Sequence, residues 1–195
     1  NDKYAGSIEK RCEFAAEIIR LIRLELGSDY PIILRWSQWK MQNYEAKLAH
    51  NPKELEAFLT PLVTAGIDIF HCSQRRFWEP EFEKSHLNLA GWVKKISSKP
   101  TITVGSIGLD ADFISNPDQR GFSEAEPASL NELLTRLDND EFDLIAVGRA
   151  LISNPNWVKH IQNNEDQKIK SFKKEHLRQL ISVSYTHLRA HETRQ

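Results

Sequence analysis

Short runs of branched apolar residues alternate along the chain with longer stretches in which apolar positions recur every three or four residues. The short runs lie at residues 31–34 (PIIL), 67–70 (IDIF), 101–104 (TITV) and 143–147 (DLIAV). Their Ile and Val content predicts parallel strands buried on both faces. The stretches between them predict helices over residues 8–26, with Phe14, Ile18, Leu21 and Ile22 on one face, and over 55–63, 87–96 and 130–137. A last stripe, Ile169, Phe172, Leu177 and Leu180, predicts a helix over residues 168–181 docked on the outside.

Punctuation supports these elements. Asn51-Pro52 opens one helix, Gly66 closes it, Pro100 introduces the third strand, and Asn154-Pro155 opens a helix after the fourth. Alternating helices and strands need right-handed crossovers, which give an open doubly wound sheet or a barrel; periodicity does not choose between them. Unusual side chains gather after the strands, in residues 36–40 (WSQWK) and 73–78 (SQRRFW), where function is expected.

Composition narrows the class of partner. The chain has 195 residues, 40% hydrophobic and 27% charged, with 26 basic against 27 acidic side chains. No net field advertises nucleic acid or an anionic membrane, and a small-molecule ligand is the expectation. No apolar run approaches the roughly 18 residues of a membrane span. Cys12 and Cys72 lack neighbours at metal or redox spacing, which fits a reducing, cytoplasmic setting. Residues 182–195 lose the periodicity and read as a non-native or disordered tail. His187 and His191 within it have helical i, i+4 spacing without a further ligand nearby, so no metal site is expected.

Three features carry candidate chemistry. Arg35 follows Ile33-Leu34 at the C-terminal end of a strand expected to be buried. A guanidinium there needs a partner: a carboxylate on a neighbouring strand, or a ligand at the strand ends. Gly105-Ser106 follows the third strand and Gly148-Arg149 the fourth. A glycine at a strand end is often only a turn. Two on successive strands, one beside an arginine, suit a phosphate held by backbone N–H groups.

These residues resemble a known family. Tyr4-Ala5-Gly6-Ser7-Ile8-Glu9-Lys10-Arg11 with Phe14 resembles the YGGS-x-E-N-R-x-R-F signature of the Old Yellow Enzyme family, with Ala5 and Lys10 in place of Gly and Asn. The similarity continues through Arg35, His71-Cys72-Ser73, Gly105 and the segment 143–155 (DLIAVGRALISNP), and covers residues 1–181. It implies an α/β fold, the C-terminal half of a (β/α)8 TIM barrel with four parallel strands alternating with helices. It also implies an FMN-dependent oxidoreductase that uses NADH or NADPH to reduce activated C=C bonds of α,β-unsaturated carbonyl compounds. By position, Arg35 resembles the arginine at the N1/O2 edge of the flavin, where it stabilises the negative charge of the reduced ring. Gly105, Ser106, Gly148 and Arg149 resemble the phosphate cup.

The same resemblance places the His/His or His/Asn pair that grips the substrate carbonyl, the tyrosine proton donor and the first four strands before Asn1. A half-barrel, inactive alone and exposing faces that invite pairing with another copy, is the expectation. Two other readings stand beside it: a non-catalytic phosphate- or nucleotide-binding α/β module, and a different phosphate-binding barrel enzyme. The latter needs a lysine or carboxylate at a strand end, for which Lys40 and Asp68 are the nearest candidates.

Overall fold

The computed structural model describes residues 2–40, 43, 45–113 and 123–178. The chain divides into two compact units, one of Asn1–Ile107 with Leu130–Ala146 and one of Gly108–Ser129 with Val147–Gln195.

The first unit contains α1 (Ile8–Leu26), β1 (Ile33–Ser37), α2 (Pro52–Thr64), β2 (Ile69–Ser73), α3 (Leu89–Ser97), β3 (Thr101–Val104), α4 (Asn131–Asp138) and β4 (Leu144–Ile145). The four strands form one parallel sheet in the order β1-β2-β3-β4. Helices α1, α2 and α3 start where side-chain oxygens satisfy their first N–H groups: Ser7 accepts from Lys10, Asn51 from Glu54 and Asn88 from Gly91. Asn88, fully buried, also donates to the carbonyl of Phe77 at 2.8 Å and so fixes the loop after β2 to α3.

Strands β1 and β2 run further on their C-terminal side than the apolar runs suggest, β3 matches its run, and β4 is shorter. Arg35 is therefore the middle residue of β1 rather than its end. Nor are the strands buried on both faces. Trp36 packs on Phe58 of α2 with ring centroids 4.8 Å apart. Alternation then puts Leu34, Trp36, Phe70, Cys72, Thr101 and Thr103 on the helix side, where Phe70, Cys72 and both threonines are 0% exposed. The opposite face carries Ile33, Arg35, Ile69, His71, Ile102 and Leu144. It lacks a covering layer among the described residues: Ile33 and Leu144 are each 51% exposed.

Helix α1 departs from expectation in the same way. Its buried residues are Cys12, Ala16 and Ile19, which pack against α2, while the stripe read from the sequence points away: Phe14 is 55% and Leu21 63% exposed. The helix is apolar on two sides.

In the second unit, Leu109 pairs with Pro127 and Ala125 with Phe172 in isolated antiparallel bridges, beside α5 (Arg149–Ser153) and α6 (Trp157–Gln162). The helix expected over 168–181 does not form across the described residues. Two 3-10 turns, Asp166–Lys168 and Lys174–Leu177, flank an extended stretch instead. Phe172, fully buried, exchanges both backbone hydrogen bonds with Ala125, and Asn154 takes both backbone groups of Lys170. Those bonds satisfy the backbone in an extended form, so the apolar spacing is met without a helix. The proposed tail, 182–195, with His187 and His191, lies outside the described residues.

Carboxylates fix the N-terminal edge of the sheet. Asp68 accepts from the N–H of Ile32 at 2.7 Å and from the guanidinium of Arg23, which also donates to the carbonyls of Gly27, Ser28, Tyr30 and Gly66. Desolvation pushes the Asp68 carboxyl upward, but the Ile32 N–H and Arg23 outweigh it and hold it below its ordinary range. A lowered carboxylate contributes stability above its unfolded pKa and loses it as pH falls through the folded value. Asp68→Asn should thus cost about 1–2 kcal/mol at neutral pH in urea unfolding, with the difference from wild type shrinking in acid. Cys72, expected to be partly buried, is fully so, and burial raises both thiols, Cys12 to about 11. Neither should react with a thiol reagent at neutral pH until the chain is unfolded.

Candidate functional site

The loops that leave the C-terminal ends of the strands are built from polar side chains that serve the backbone. Gln38, just past β1, bonds both the N–H and the carbonyl of Ala49 at 2.9 Å and donates to Glu81 at 3.0 Å. Lys47 donates to the same carboxylate at 3.2 Å and to the Glu81 carbonyl. The loops after β1 and β2 are thereby tied together. Burial pushes the Glu81 carboxyl up, against the opposing pull of Lys47 and Gln38. Gln74, just past β2, donates to Thr103 Oγ1 at 2.8 Å and accepts the N–H of Leu89, so it seats the start of α3 on β3. Gln38 and Gln74 lie in the two stretches where function is expected, but no local signal marks their roles or that of Glu81, which depend on partners far along the chain.

Arg35 stands on the open face of the sheet. Its guanidinium donates to Ser73 Oγ at 3.2 Å, and among the described residues no carboxylate pairs with it. The salt bridge to a neighbouring strand, one of the two readings of this residue, is not formed. His71 is level with Arg35 in the β1–β2 register and shares its face. The imidazole Nε2 is buried without a hydrogen-bond partner. Burial, then the Arg35 charge, lower its pKa from the ordinary histidine value.

The expected phosphate residues divide between the units. Gly105 and Ser106, in the first, follow β3 with φ of 143° and 53°. A Cβ on Gly105 would lie 2.6 Å from the carbonyl oxygen of Gln74, and its own carbonyl accepts the N–H of Phe77. Ser106 Oγ donates to the carbonyl of Arg75 at 3.0 Å. This loop is stitched to the one after β2, so packing alone demands a glycine at 105. Phe77, in the stretch after β2 where function is expected, is buried edge-to-face against Trp78 with centroids 5.1 Å apart.

In the second unit, Gly148 precedes the first turn of α5 and Arg149 begins it. No atom lies within 4 Å of the Cβ that Gly148 lacks, and its φ is −109°. Among the described residues a side chain there would meet open space. The Arg149 guanidinium is held by the carbonyls of Ala111 (2.5 Å), Asp112 (3.1 Å) and Ser123 (3.2 Å) and lies over the Phe172 ring. Burial lowers its pKa, opposed by Asp112 and Asp110. Of the other candidates, Asp68 is occupied at the start of β2 and Lys40 lies in the loop beyond β1, its backbone bridged to Asn43. No group of three His, Cys, Asp or Glu side chains among the described residues is arranged to hold a metal, and no described helix is long and apolar enough to cross a membrane.

Comparison with known proteins gives a consistent picture. A family model described as the NADH:flavin oxidoreductase / NADH oxidase family matches residues 1–120. The chain is 30% identical over 177 residues to an NADH oxidase of Thermoanaerobacter brockii, covering 87% of this chain and 24% of that protein. It is 27% identical over 166 residues to an NADPH dehydrogenase of Clostridium acetobutylicum, covering 81% and 40%. Among solved structures, an old yellow enzyme homologue from Zymomonas mobilis superposes with a TM-score of 0.60 at 15% identity, covering 90% of this chain and 42% of that one. The four parallel βα units are thus a partial (β/α)8 barrel, and the chain spans less than half the length of these relatives.

The two glycines should behave oppositely on substitution. Gly105→Ala forces a Cβ into a carbonyl at a left-handed φ and should cost about 2–3 kcal/mol in urea unfolding, whereas Gly148→Ala should change stability by less than about 1 kcal/mol.

Proposed function

Because this chain belongs to the NADH:flavin oxidoreductase / NADH oxidase family, we propose that it supplies part of the FMN site of an oxidoreductase, with Arg35 at the ring and Gly148 at the phosphate. Arg35 is the observation that carries the reading. A guanidinium on an open face with only a serine hydroxyl for company has donors to spare, and a fixed positive charge there suits the electron-rich N1/O2 edge of a flavin. Gly148 adds to it. Open space where a side chain would sit leaves room for a phosphate oxygen to approach the backbone.

The other three residues fit by their backbone rather than their side chains. Gly105 and Ser106 are committed to the loop after β2, and the Arg149 guanidinium is already held by three carbonyls. Arg149 then contributes its main chain and its charge. FMN, when bound, supplies the hydride chemistry, with NADH or NADPH as reductant and an activated C=C bond of an α,β-unsaturated carbonyl compound as acceptor. The residues of this chain bind and orient: Arg35 donates to the ring edge, and the glycine loops hold the phosphate. Gripping the substrate and giving it a proton fall to residues outside this chain.

Flavin binding needs more than one end of the molecule. Charge-assisted hydrogen bonds contribute about 1.5–3 kcal/mol each, but the ring also needs burial, and the face bearing Arg35 is open. Residues 1–195 mixed with FMN should therefore bind it weakly or not at all in a fluorescence-quenching titration and show no NAD(P)H-dependent enone reduction. Joined to a complementary N-terminal half, the same chain should be yellow and active. Steady turnover of an enone by residues 1–195 alone would overturn the assignment, since substrate binding and proton donation would then come from within them.

A further inference from the structure

His71 has no place in the functional reading above, yet it stands directly beside Arg35 across the β1–β2 pair. The β1–β2 register sets the two residues side by side on the open face, with Ile102 of β3 on the other flank of His71. The Arg35 guanidinium does not stay level with its own Cα. It reaches Ser73, two residues further along β2, which in a parallel strand is about 6.6 Å towards the C-terminal end. The arginine side chain therefore climbs past His71 on its way to the strand ends. A flexible side chain on an open surface needs something to lean on to hold such a course.

We propose that His71 is a positioning residue for Arg35, a strut on β2 that carries the guanidinium towards Ser73 and the ligand side of the sheet. The inference rests on the reading of Arg35 as the flavin-edge residue. Two observations beyond the register support it. The first is that the imidazole does little for the fold: Nε2 is buried and unpartnered, a state that weakens a structure rather than strengthening it. A residue kept at such a disadvantage is better explained by what it does for its neighbour. The second is electrostatic. Burial and the Arg35 charge both disfavour the imidazolium, Ile102 on β3 offers no charge to counter them, and the site keeps one positive charge instead of two that repel. A protonated His71 would push the guanidinium off its course.

The test is nuclear magnetic resonance on isotope-labelled residues 1–195, following the His71 ring carbons and the Arg35 Nε–H as pH is varied. The His71 midpoint should lie below 6.5, the Arg35 signal should move with the same midpoint, and Arg35→Gln should raise that midpoint. A histidine that merely fills space would titrate without moving Arg35, and that result would overturn the proposal. Two variants make the second check. His71→Phe keeps a flat ring without the unpaired nitrogen and should leave the Arg35 signal in place while raising Tm by roughly 3–8 °C. His71→Lys should displace the Arg35 signal at every pH. A drop in Tm for His71→Phe would mean that the imidazole makes a structural hydrogen bond, and the strut role would be withdrawn. Adding FMN to the same variants joined to a complementary N-terminal half separates this inference from the functional reading. If Arg35 follows His71 but ignores FMN, the flavin role fails and the strut stands; if FMN shifts Arg35 equally in wild type and His71→Lys, the strut fails and the flavin role stands.

Discussion

A parallel sheet has no hairpin turns to set its register, and here that task falls to one carboxylate in front of every second strand. Asp68 precedes β2, takes the N–H of Ile32 ahead of β1, and is held by Arg23 from the last turn of α1. Asp143 precedes β4, takes the N–H of Thr101 at the start of β3 at 2.8 Å, and is held at 3.0 Å by Lys94 from the last turn of α3. The same clamp thus occurs twice, once in each helix-strand-helix-strand pair. A slip of one residue would turn every side chain to the other face of the sheet. Because the clamps sit at the N-terminal ends, Arg35, His71, Ile102 and Leu144 stay level, and the C-terminal loops are free to carry glycines and polar groups.

That division has a cost on the open side. Full burial of an Ile, Leu or Phe side chain contributes about 1.5–3 kcal/mol, so each residue left half exposed forgoes roughly 1 kcal/mol. Ile33 and Leu144 on the sheet and Phe14 and Leu21 on α1 are all at least half exposed. Together they represent several kcal/mol against a net stability that for domains is typically only about 5–15. Two surfaces, the inner face of the sheet and the outer flank of α1, therefore have a strong thermodynamic reason to be covered. The first of them carries β1, one of the two edge strands of the sheet. The position of Arg35 on that strand means that whatever completes the sheet also encloses the arginine.

The sequence made the element order plain because local signals agreed with tertiary demand. Residues 101–104 form β3 as expected, introduced by Pro100, and Asn51-Pro52 starts α2. Legibility failed where distant partners decide. Strand β1 runs on to Ser37 because the β2 backbone stays in register as far as Ser73, so Arg35 shifts from strand end to strand centre. The stripe from Ile169 to Leu180 reads as helical, yet Ala125 and Asn154 claim the backbone of Phe172 and Lys170. The site was legible in part. Arg35 stood out as a charge inside an apolar run. The reason for Gly105, a carbonyl from the loop after β2, was invisible, as was His71, which reads in sequence like any member of a strand.

Two arginines in the same chain receive opposite treatment, and the difference bears on what each can offer a ligand. Arg149 is desolvated, and its donors are spent on the carbonyls of Ala111, Asp112 and Ser123. It remains charged, since a guanidinium does not lose its proton in proteins, but it has become a fixed charge that fastens its own loop. A phosphate does not need its fork, because backbone N–H groups and a nearby positive field suffice for anion binding. Arg35 keeps its donors and gives up rigidity, since one bond to Ser73 cannot hold a long side chain in water. A planar heterocycle makes the reverse demand of a phosphate: its edge must be met by donors in a defined direction. Under the flavin role proposed for Arg35, its support by the neighbouring strand, rather than its mere presence, would decide whether the ring is held in one orientation.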